Sequence, residues 1–173
     1  MNLNFVSRAA LLAMLAALAS ACASHEPSAS ASRQEEVARK GSAVMPFDLM
    51  KTTHFFDGEP NGGIETITAN DASDREQVGL IRSHLAKESE RFARGDFSDP
   101  AAIHGADMPG MAALARAGDK LHVSCRDVPG GASLTYASDD PAVVRAIHEW
   151  FAAQRSDHAA HMHMHMHGMT MDR

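Results

Sequence analysis

Two stretches of the chain read HFFDGEPNGGIETITA, residues 54–69, and HVSCRDVPGGASLTYA, residues 122–137. In each stretch, two strand-like runs flank a turn that contains Pro and a pair of glycines, which is typical of a β-hairpin. When the paired glycines are aligned, His122 follows His54 by 68 positions. The chain therefore contains one hairpin unit twice.

A helical pattern follows each hairpin. Residues 73–95 and 139–158 have apolar residues spaced three and four apart, as on one face of an α-helix. Asp74 and Asp140 stand at the N-cap positions of these helices, and Pro141 occupies the favoured first helical position. We predict an α+β fold in which duplicated β-β-α units form a four-stranded antiparallel sheet with both helices on one face.

An insert separates the two units and reads GDFSDPAAIHGADMPGMAALARAGD, residues 95–119. Its sequence predicts one short helix near Pro100 and a second over residues 111–117, stopped at Gly118. Between them, HGADMPG is a loop bounded by Gly and Pro. Because loops that depart from a scaffold often hold functional residues, we expect function here.

The first 21 residues have the layout of a secretory signal. Arg8 precedes an apolar run over residues 9–19, which is too short to span a bilayer, and small residues follow. LASAC, residues 18–22, resembles a lipobox, which would make Cys22 the lipidated first residue of a membrane-anchored periplasmic lipoprotein. An ordinary cut after Ala21 or Ala23 is the alternative. Both predict export.

Composition divides the rest of the chain. Residues 22–44 are rich in Ser, Ala and charge, which predicts a flexible tether. Residues 45–158 suffice for a single α+β domain, and residues 159–173 are expected to be a disordered tail. The net charge of −6 argues against nucleic acid. Cys125 is expected to be a small buried hydrophobe without a disulfide partner.

The tail alternates imidazoles and thioethers, and it is the strongest functional signal. Soft thioethers suit Cu(I), and imidazoles suit both Cu(I) and Cu(II), so the mixture favours copper over zinc or nickel. A purification tag or drift in an unconstrained terminus would be the alternative origin. The predicted metal ligands of the tail are His158, His161, Met162, His163, Met164, His165, Met166, His167 and Met169.

A second copper site is predicted within the domain. His84 and His148 border the apolar stripes of the two long helices, whose margins should meet on one face of the sheet. His104 and Met108 of the insert loop would close over them, and Asp107 would orient an imidazole. The alternative is that these histidines are boundary residues bonded to backbone.

Two further histidines are not expected to be ligands. Phe55 and Val123 should face the core, and the period of two then turns their neighbours His54 and His122 outward.

Two longer stretches support a resemblance. LIRSHLAKESERFARGDFSDPAAIHGADMPGMAAL, residues 80–114, and DPAVVRAIHEWFAAQRSDH, residues 140–158, resemble a family of small bacterial proteins, some of them labelled aspartate carbamoyltransferase. GDFSDPAAIHGADMPG is the most specific part, and the resemblance covers most of residues 52–158. The label implies carbamoyl-phosphate chemistry. However, the chain lacks a Ser-Thr-Arg-Thr phosphate loop and is too short for two α/β domains.

Three functional hypotheses follow. The leading one is an exported copper-binding protein for buffering, resistance or delivery, with a metal ion as its partner and a lipid anchor at Cys22. The second is a small enzyme with a pocket of His84, His104 and His148 that holds a metal or performs acid–base chemistry. The third is a structural or interaction domain with a metal-sensitive tail, whose protein partners the sequence does not define.

Overall fold

The computed structural model describes residues 28–159. The predicted signal sequence, Cys22 and the predicted tail ligands from His161 onward lie outside the described residues. The elements in chain order are α1 (Ala29–Val44), β1 (Thr52–Glu59), β2 (Gly62–Ala69), α2 (Arg75–Ala93), α3 (Ser98–His104), α4 (Met111–Ala115), β3 (His122–Val128), β4 (Gly131–Ala137) and α5 (Pro141–Asp157). Among these helices, none is long and apolar enough to cross a bilayer.

The four strands form one antiparallel sheet in the order β1-β2-β4-β3, so the predicted α+β architecture is confirmed. The second strand of each hairpin lies at the centre of the sheet. Helix α2 packs mainly on β3 and β4, whereas α5 packs on β1 and β2. Each long helix thus covers the hairpin of the other unit, and the two units share one core.

The hairpin pairing corrects the alignment of the two copies. The last pair before each turn is Glu59 with Gly62 in the first hairpin and Val128 with Gly131 in the second. The structural offset is therefore 69 (128 − 59), one more than the glycine alignment gives. Gly130, with φ +77°, lies in the turn where the first hairpin has Asn61.

This slip of one residue reverses the predicted faces of β1. His54 corresponds to Val123 and points to the helix-covered face, where it is 8% exposed. Phe55 points away and is 46% exposed, and Phe56 is buried instead. The prediction that His54 faces solvent is wrong, because an odd shift in register exchanges the two faces of a strand. The prediction for His122 is confirmed, since it is exposed.

The predicted N-cap residues of the two long helices are confirmed. The Asp74 carboxylate accepts a hydrogen bond from the Gln77 amide at 3.1 Å, and Asp140 accepts one from Ala142 at 2.8 Å. These contacts satisfy amides that have no partner within the helix. Both helices therefore begin where the sequence predicts.

The segment predicted to be a flexible tether is helical over its described part. Helix α1 begins after Ser28, whose hydroxyl accepts from the Ala31 amide. Its composition is polar, but Val37 is buried at 1% exposure, and α1 packs on α3 and α5. A Cβ on Gly41 would lie 2.9 Å from Leu49, so glycine allows this close approach. The prediction of a flexible tether is wrong because α1 is held by one buried apolar side chain, Val37, and one close contact at Gly41. Two such residues hardly change the composition of the segment.

The core lies between the sheet and the helices. Its centre is a set of aromatic rings in edge-on or stacked contact: Phe92, Phe97, Tyr136, Trp150 and Phe151. Cys125 is partly buried, and burial raises the pKa of its thiol. It therefore packs as a small apolar side chain, as expected.

Candidate metal site

A cavity of about 40 Å³ lies at one edge of this core, between the sheet, α2, α3 and α5. Its wall contains apolar side chains, but nine of its residues have polar or sulfur-containing side chains. These are Met45, His54, Glu65, His84, Glu88, His104, Trp150, Gln154 and His158. They come from both β-β-α units and from the insert, so only the complete fold assembles them.

His104 is the most firmly oriented of these groups. It is the last residue of α3 and is buried, with Nδ1 2.8 Å from Oδ2 of Asp157. A carboxylate only accepts hydrogen bonds, so Nδ1 donates its proton and Nε2 keeps a lone pair. An imidazole fixed in this way by a carboxylate is the usual arrangement of a metal-bound histidine.

Arg33 of α1 completes this arrangement. Its Nε and Nη2 donate to the two oxygens of Asp157 at 3.0 and 2.7 Å, and Nη2 also donates to the carbonyl oxygen of His104 at 2.6 Å. Burial tends to raise the pKa of Asp157, but the bonds from Arg33 and His104 outweigh it, so the net shift is downward. Burial lowers the pKa of His104, with partial opposition from Asp157. The pair is therefore an ionised carboxylate and a neutral imidazole at neutral pH.

Two more imidazoles lie beside His104. The ring centroid of His158, at the C-cap of α5, is 5.2 Å from that of His104 and 5.0 Å from that of His54. His158 also stacks on Phe56 at 5.9 Å. His104, His158 and His54 thus form a row, which we call the imidazole row.

His84 lines the same cavity farther along. Its ring meets Phe47 edge-on at 5.6 Å, and Phe47 also contacts His54 at 6.0 Å. Burial lowers the pKa of His84, so it too is neutral at neutral pH.

Two buried carboxyl groups form another part of the wall. Glu65 accepts a hydrogen bond from the hydroxyl of Tyr136 at 2.9 Å, and burial raises the pKa of Glu65 to about 7. Glu88 accepts from Arg91 at 2.8 Å, and burial also raises its pKa to about 7. Both groups therefore change charge near neutral pH, where neither would titrate in water.

The structure brings together only part of the site predicted within the domain. His84 and His104 line one cavity, as expected. His148 is exposed, and its Nε2 donates to the carbonyl oxygens of Glu59 and Gly62, each at 2.9 Å, at the β1–β2 turn. Its side of α5 faces that turn and not the cavity, so His148 is not part of the site.

Met108 and Asp107 also take other places. Met108 is buried in the apolar core and does not line the cavity, whereas Met45 is part of its wall. Asp107 is exposed, and Asp157 orients the imidazole instead. Within residues 28–159, no group of three or more His, Cys, Asp or Glu side chains is arranged to hold a metal ion as it stands.

Sequence reasoning missed several groups of the wall. The sequence patterns do not predict that His54, Met45, Glu65 or Glu88 lines the cavity. His158, which they predict as a ligand of the tail, also lies in the cavity wall. A signal existed for Glu88, which follows His84 by one helical turn on the buried side of α2. Glu65 lies two residues before the buried Ile67 on β2, so the period of two places both side chains on the same, buried face.

No protein-family model, curated protein or solved structure matches the chain. The resemblance to small bacterial proteins therefore stays a prediction.

Proposed function

We propose that this chain is an exported copper-binding protein whose tail captures the ion and whose cavity holds it. The observation that supports it best is the imidazole row, in which Asp157 fixes His104 with Nε2 available beside the ring of His158. Neutral imidazoles are required for metal binding, and the downward shift in the pKa of His104 keeps it neutral.

The size of the cavity favours an ion over an organic substrate. A buried water needs roughly 10–15 Å³ of such space, and pockets for small organic ligands have about 300–1,000 Å³. The observed 40 Å³ admits an ion with a water or two. This is the main reason for preferring metal binding to catalysis on a metabolite.

Copper is the metal that the ligands suit best. The wall offers a thioether at Met45 as well as imidazoles, and the tail repeats the same pairing from His161 to Met169. Zinc and nickel would be served by imidazoles alone. Glu65 and Glu88 are hard oxygen ligands, but each already has a protein partner.

The absence of a three-ligand group among residues 28–159 bears on how the site would work. Cu(I) is stable with two or three soft ligands, so a pair of rings from the imidazole row with one thioether suffices for it. His158 leads directly into the tail, whose ligands follow within a few residues. In this proposal the tail delivers the ion to the row and contributes any further ligand.

Export and anchoring belong to the same proposal. The signal sequence supports a periplasmic location, and lipidation of Cys22 would attach the protein to a membrane. A protein held there would buffer copper or pass it on outside the cytoplasm.

Acid–base catalysis is the second candidate, and the His104–Asp157 pair favours it. A neutral imidazole oriented by a carboxylate is a suitable general base. Because the cavity is small, the substrate of such an enzyme would be no larger than a few water molecules. A bound metal without any exchangeable water would count against it.

The test separates the cavity from the tail. In a variant that we call the blank-tail variant, every His and Met after residue 160 is replaced by Ser in the full chain. Cu(I) is titrated against a colorimetric chelator, and Cu(II) is followed by EPR. We expect the blank-tail variant to keep one tightly bound ion and the native chain to bind more.

Single substitutions in the blank-tail variant then locate the ion. We expect His104→Ala and His158→Ala to weaken Cu(I) binding at least about 10-fold, since each removes a direct ligand. His148→Ala is the matched control on the same helix and should leave the affinity unchanged. Equal affinities in all three variants would refute the cavity site, and failure of the native chain to bind copper would refute the proposed function.

A further inference from the structure

The face of the sheet that α2 and α5 leave uncovered, which we call the open face, is poor in charge. Phe55 of β1 gives it an aromatic ring and is one of the two large apolar side chains that are exposed among residues 28–159. A low content of charge and an aromatic side chain are typical of the centre of a protein–protein interface. The two central strands add only uncharged side chains, those of Ile64, Thr66, Thr68, Ser133, Thr135 and Ala137.

The charged side chains of the open face lie on its two edge strands. The register of the strands places Phe55, Thr66, Ser133 and Arg126 in one row across the sheet, from one edge to the other. Asp57 lies two residues beyond Phe55, so the period of two puts both side chains on this face. Nε of Arg126 donates to the hydroxyl of Ser133 at 3.2 Å, which holds the guanidinium over the face. The open face thus has a negative edge, an uncharged centre and a positive edge.

We propose that the open face is the interface of a symmetric dimer, in which it packs on the open face of a second copy of this chain. A two-fold axis that runs along the central strands, between β2 and β4, sets β1 of one copy against β3 of the other. Each Arg126 then lies at the level of Phe55 of the other copy, with Asp57 of that copy about 7 Å farther along the strand. A cation–π contact and an ion pair form there, and the symmetry gives each of them twice.

The distribution of charge is the reason for assigning a second copy as the occupant. One face carries both the guanidinium at one edge and the ring with its carboxylate at the other, so the face is complementary to itself. A two-fold axis across the strands would instead set β1 against β1, and Asp57 and Glu59 would face the same residues of the other copy. Like charges placed together across an interface are unfavourable. The axis along the strands is therefore the one that the charges favour.

The size of the open face agrees with a dimer that dissociates on dilution. Four strands of seven or eight residues cover about 450–500 Å² in projection, at the usual spacings between strands and residues. The side chains add accessible area to this projection, so the two copies together would bury about 1,000 Å² or somewhat more, which is near the lower limit for a specific interface. We therefore expect reversible association.

The oligomeric state of the blank-tail variant tests the interface. Sedimentation velocity is measured from low micromolar to nearly millimolar concentration, with EDTA present so that metal cannot bridge two chains. We expect a reversible equilibrium between monomer and dimer. A protein that stays monomeric at the highest concentration would overturn this inference. Because the cavity lies on the other side of the sheet, that result would leave the proposed function standing.

Two charge reversals in the blank-tail variant locate the contact. We expect Arg126→Glu and Asp57→Arg each to weaken self-association at least about 10-fold, because each sets like charges together in both halves of the interface. Both positions are exposed, so neither change alters the core. Arg145→Glu, at an exposed position of α5, is the control and changes the net charge as Arg126→Glu does. Unchanged association in both open-face variants would overturn the inference.

An equimolar mixture of these two variants tests the symmetry. In the mixed dimer, the introduced glutamate meets the introduced arginine at one contact, and Arg126 meets Asp57 at the other. We expect the mixture to dimerise about as strongly as the unsubstituted protein, although neither variant does so alone. A mixture that stays monomeric would contradict the pairing of Arg126 with Asp57 and the axis along the strands.

Phe55→Ala tests the aromatic half of the contact without a change in charge. It removes the ring that Arg126 of the other copy covers, so we expect self-association to weaken at least about 5-fold. Phe55 is 46% exposed, and circular dichroism shows whether this variant and the charge reversals are folded. Unchanged association in folded Phe55→Ala would exclude this ring from the interface and contradict the proposed packing of β1 on β3.

Discussion

Nδ1 of His104 lies 2.8 Å from Oδ2 of Asp157, although 53 residues separate them in the chain. The contact fixes the tautomer of His104, so Nε2 keeps its lone pair in a ring whose centroid is 5.2 Å from that of His158. Asp157 is itself held by two bonds from Arg33. The orientation of one imidazole thus depends on three segments of the chain.

This contact predicts the effect of Asp157→Asn. The variant removes the negative charge that stabilises the donor form of Nδ1, so we expect a 10–100-fold loss of Cu(I) affinity in the blank-tail variant. Chelator competition at pH 7.5 measures it. Asp139→Asn, at an exposed position of the β4–α5 connection, is the matched control. An affinity unaltered by Asp157→Asn would remove His104 from the ligand set.

Helix α1 should contribute to stability despite its polar composition. Val37 is 1% exposed, so Val37→Ala should lower the free energy of unfolding by about 1.5–2.5 kcal/mol through lost burial and an unfilled space. Urea denaturation measures the change. Glu35→Ala, on the exposed side of the same helix, should stay within about 0.5 kcal/mol. If α1 were a flexible tether, the two variants would have the same free energy of unfolding.

The two neighbouring phenylalanines of β1 test the assignment of its faces. Phe56 packs on Phe151 at 5.5 Å, so Phe56→Ala should destabilise the protein by about 3–5 kcal/mol. Phe55 is on the open face of the sheet, and Phe55→Ala should cost less than about 1 kcal/mol. Thermal or chemical unfolding distinguishes them. If Phe55→Ala destabilised the protein more than Phe56→Ala, the register given by aligning the glycine pairs would be the correct one.

Glu65 should make the stability of the metal-free protein depend on pH. Its pKa is raised from 4.5 to about 7, so the folded state binds this proton more tightly than the unfolded chain does. The stabilisation is complete below pH 4.5 and is lost as the pH rises through 7. Between pH 5 and pH 8 we expect the native protein to lose roughly 2–3 kcal/mol relative to Glu65→Gln.

Denaturant titrations of the metal-free protein at four pH values in that range measure the difference. Glu90→Gln, on the exposed side of α2, is the control and should follow the native protein. If Glu65→Gln and the native protein lose stability in parallel, Glu65 does not take up its proton near neutral pH.

The sequence predicts this fold well because its signals are local. Two hairpins, two N-cap aspartates and two amphipathic stripes are each contained within about 20 residues, and an antiparallel sheet with helices on one face is the simplest way to bury them together. The error of one residue in the repeat arose because Gly130 and Gly131 match Gly62 and Gly63 by identity. In the structure, only Gly131 corresponds to one of them, Gly62.

The site is less predictable because tertiary contacts decide it. The glycine alignment is one residue out of register, so it predicts His54 on the solvent face of β1, whereas His54 is buried. His148 has the same relation to its apolar stripe as His84 has, yet it bonds a turn of the other unit. No local rule connects Arg33, Asp157 and His104, since they meet only when α1, α5 and α3 pack together.

The exchange of helices between the two units has a consequence for folding kinetics. Because α5 covers the first hairpin and α2 the second, neither unit can complete its core before the other has been formed. His54 and His158 meet only after a loop of about 100 residues has closed, which is an entropically costly late step. An ion held by both rings would oppose the opening of that loop, so bound copper should slow unfolding far more than it speeds folding.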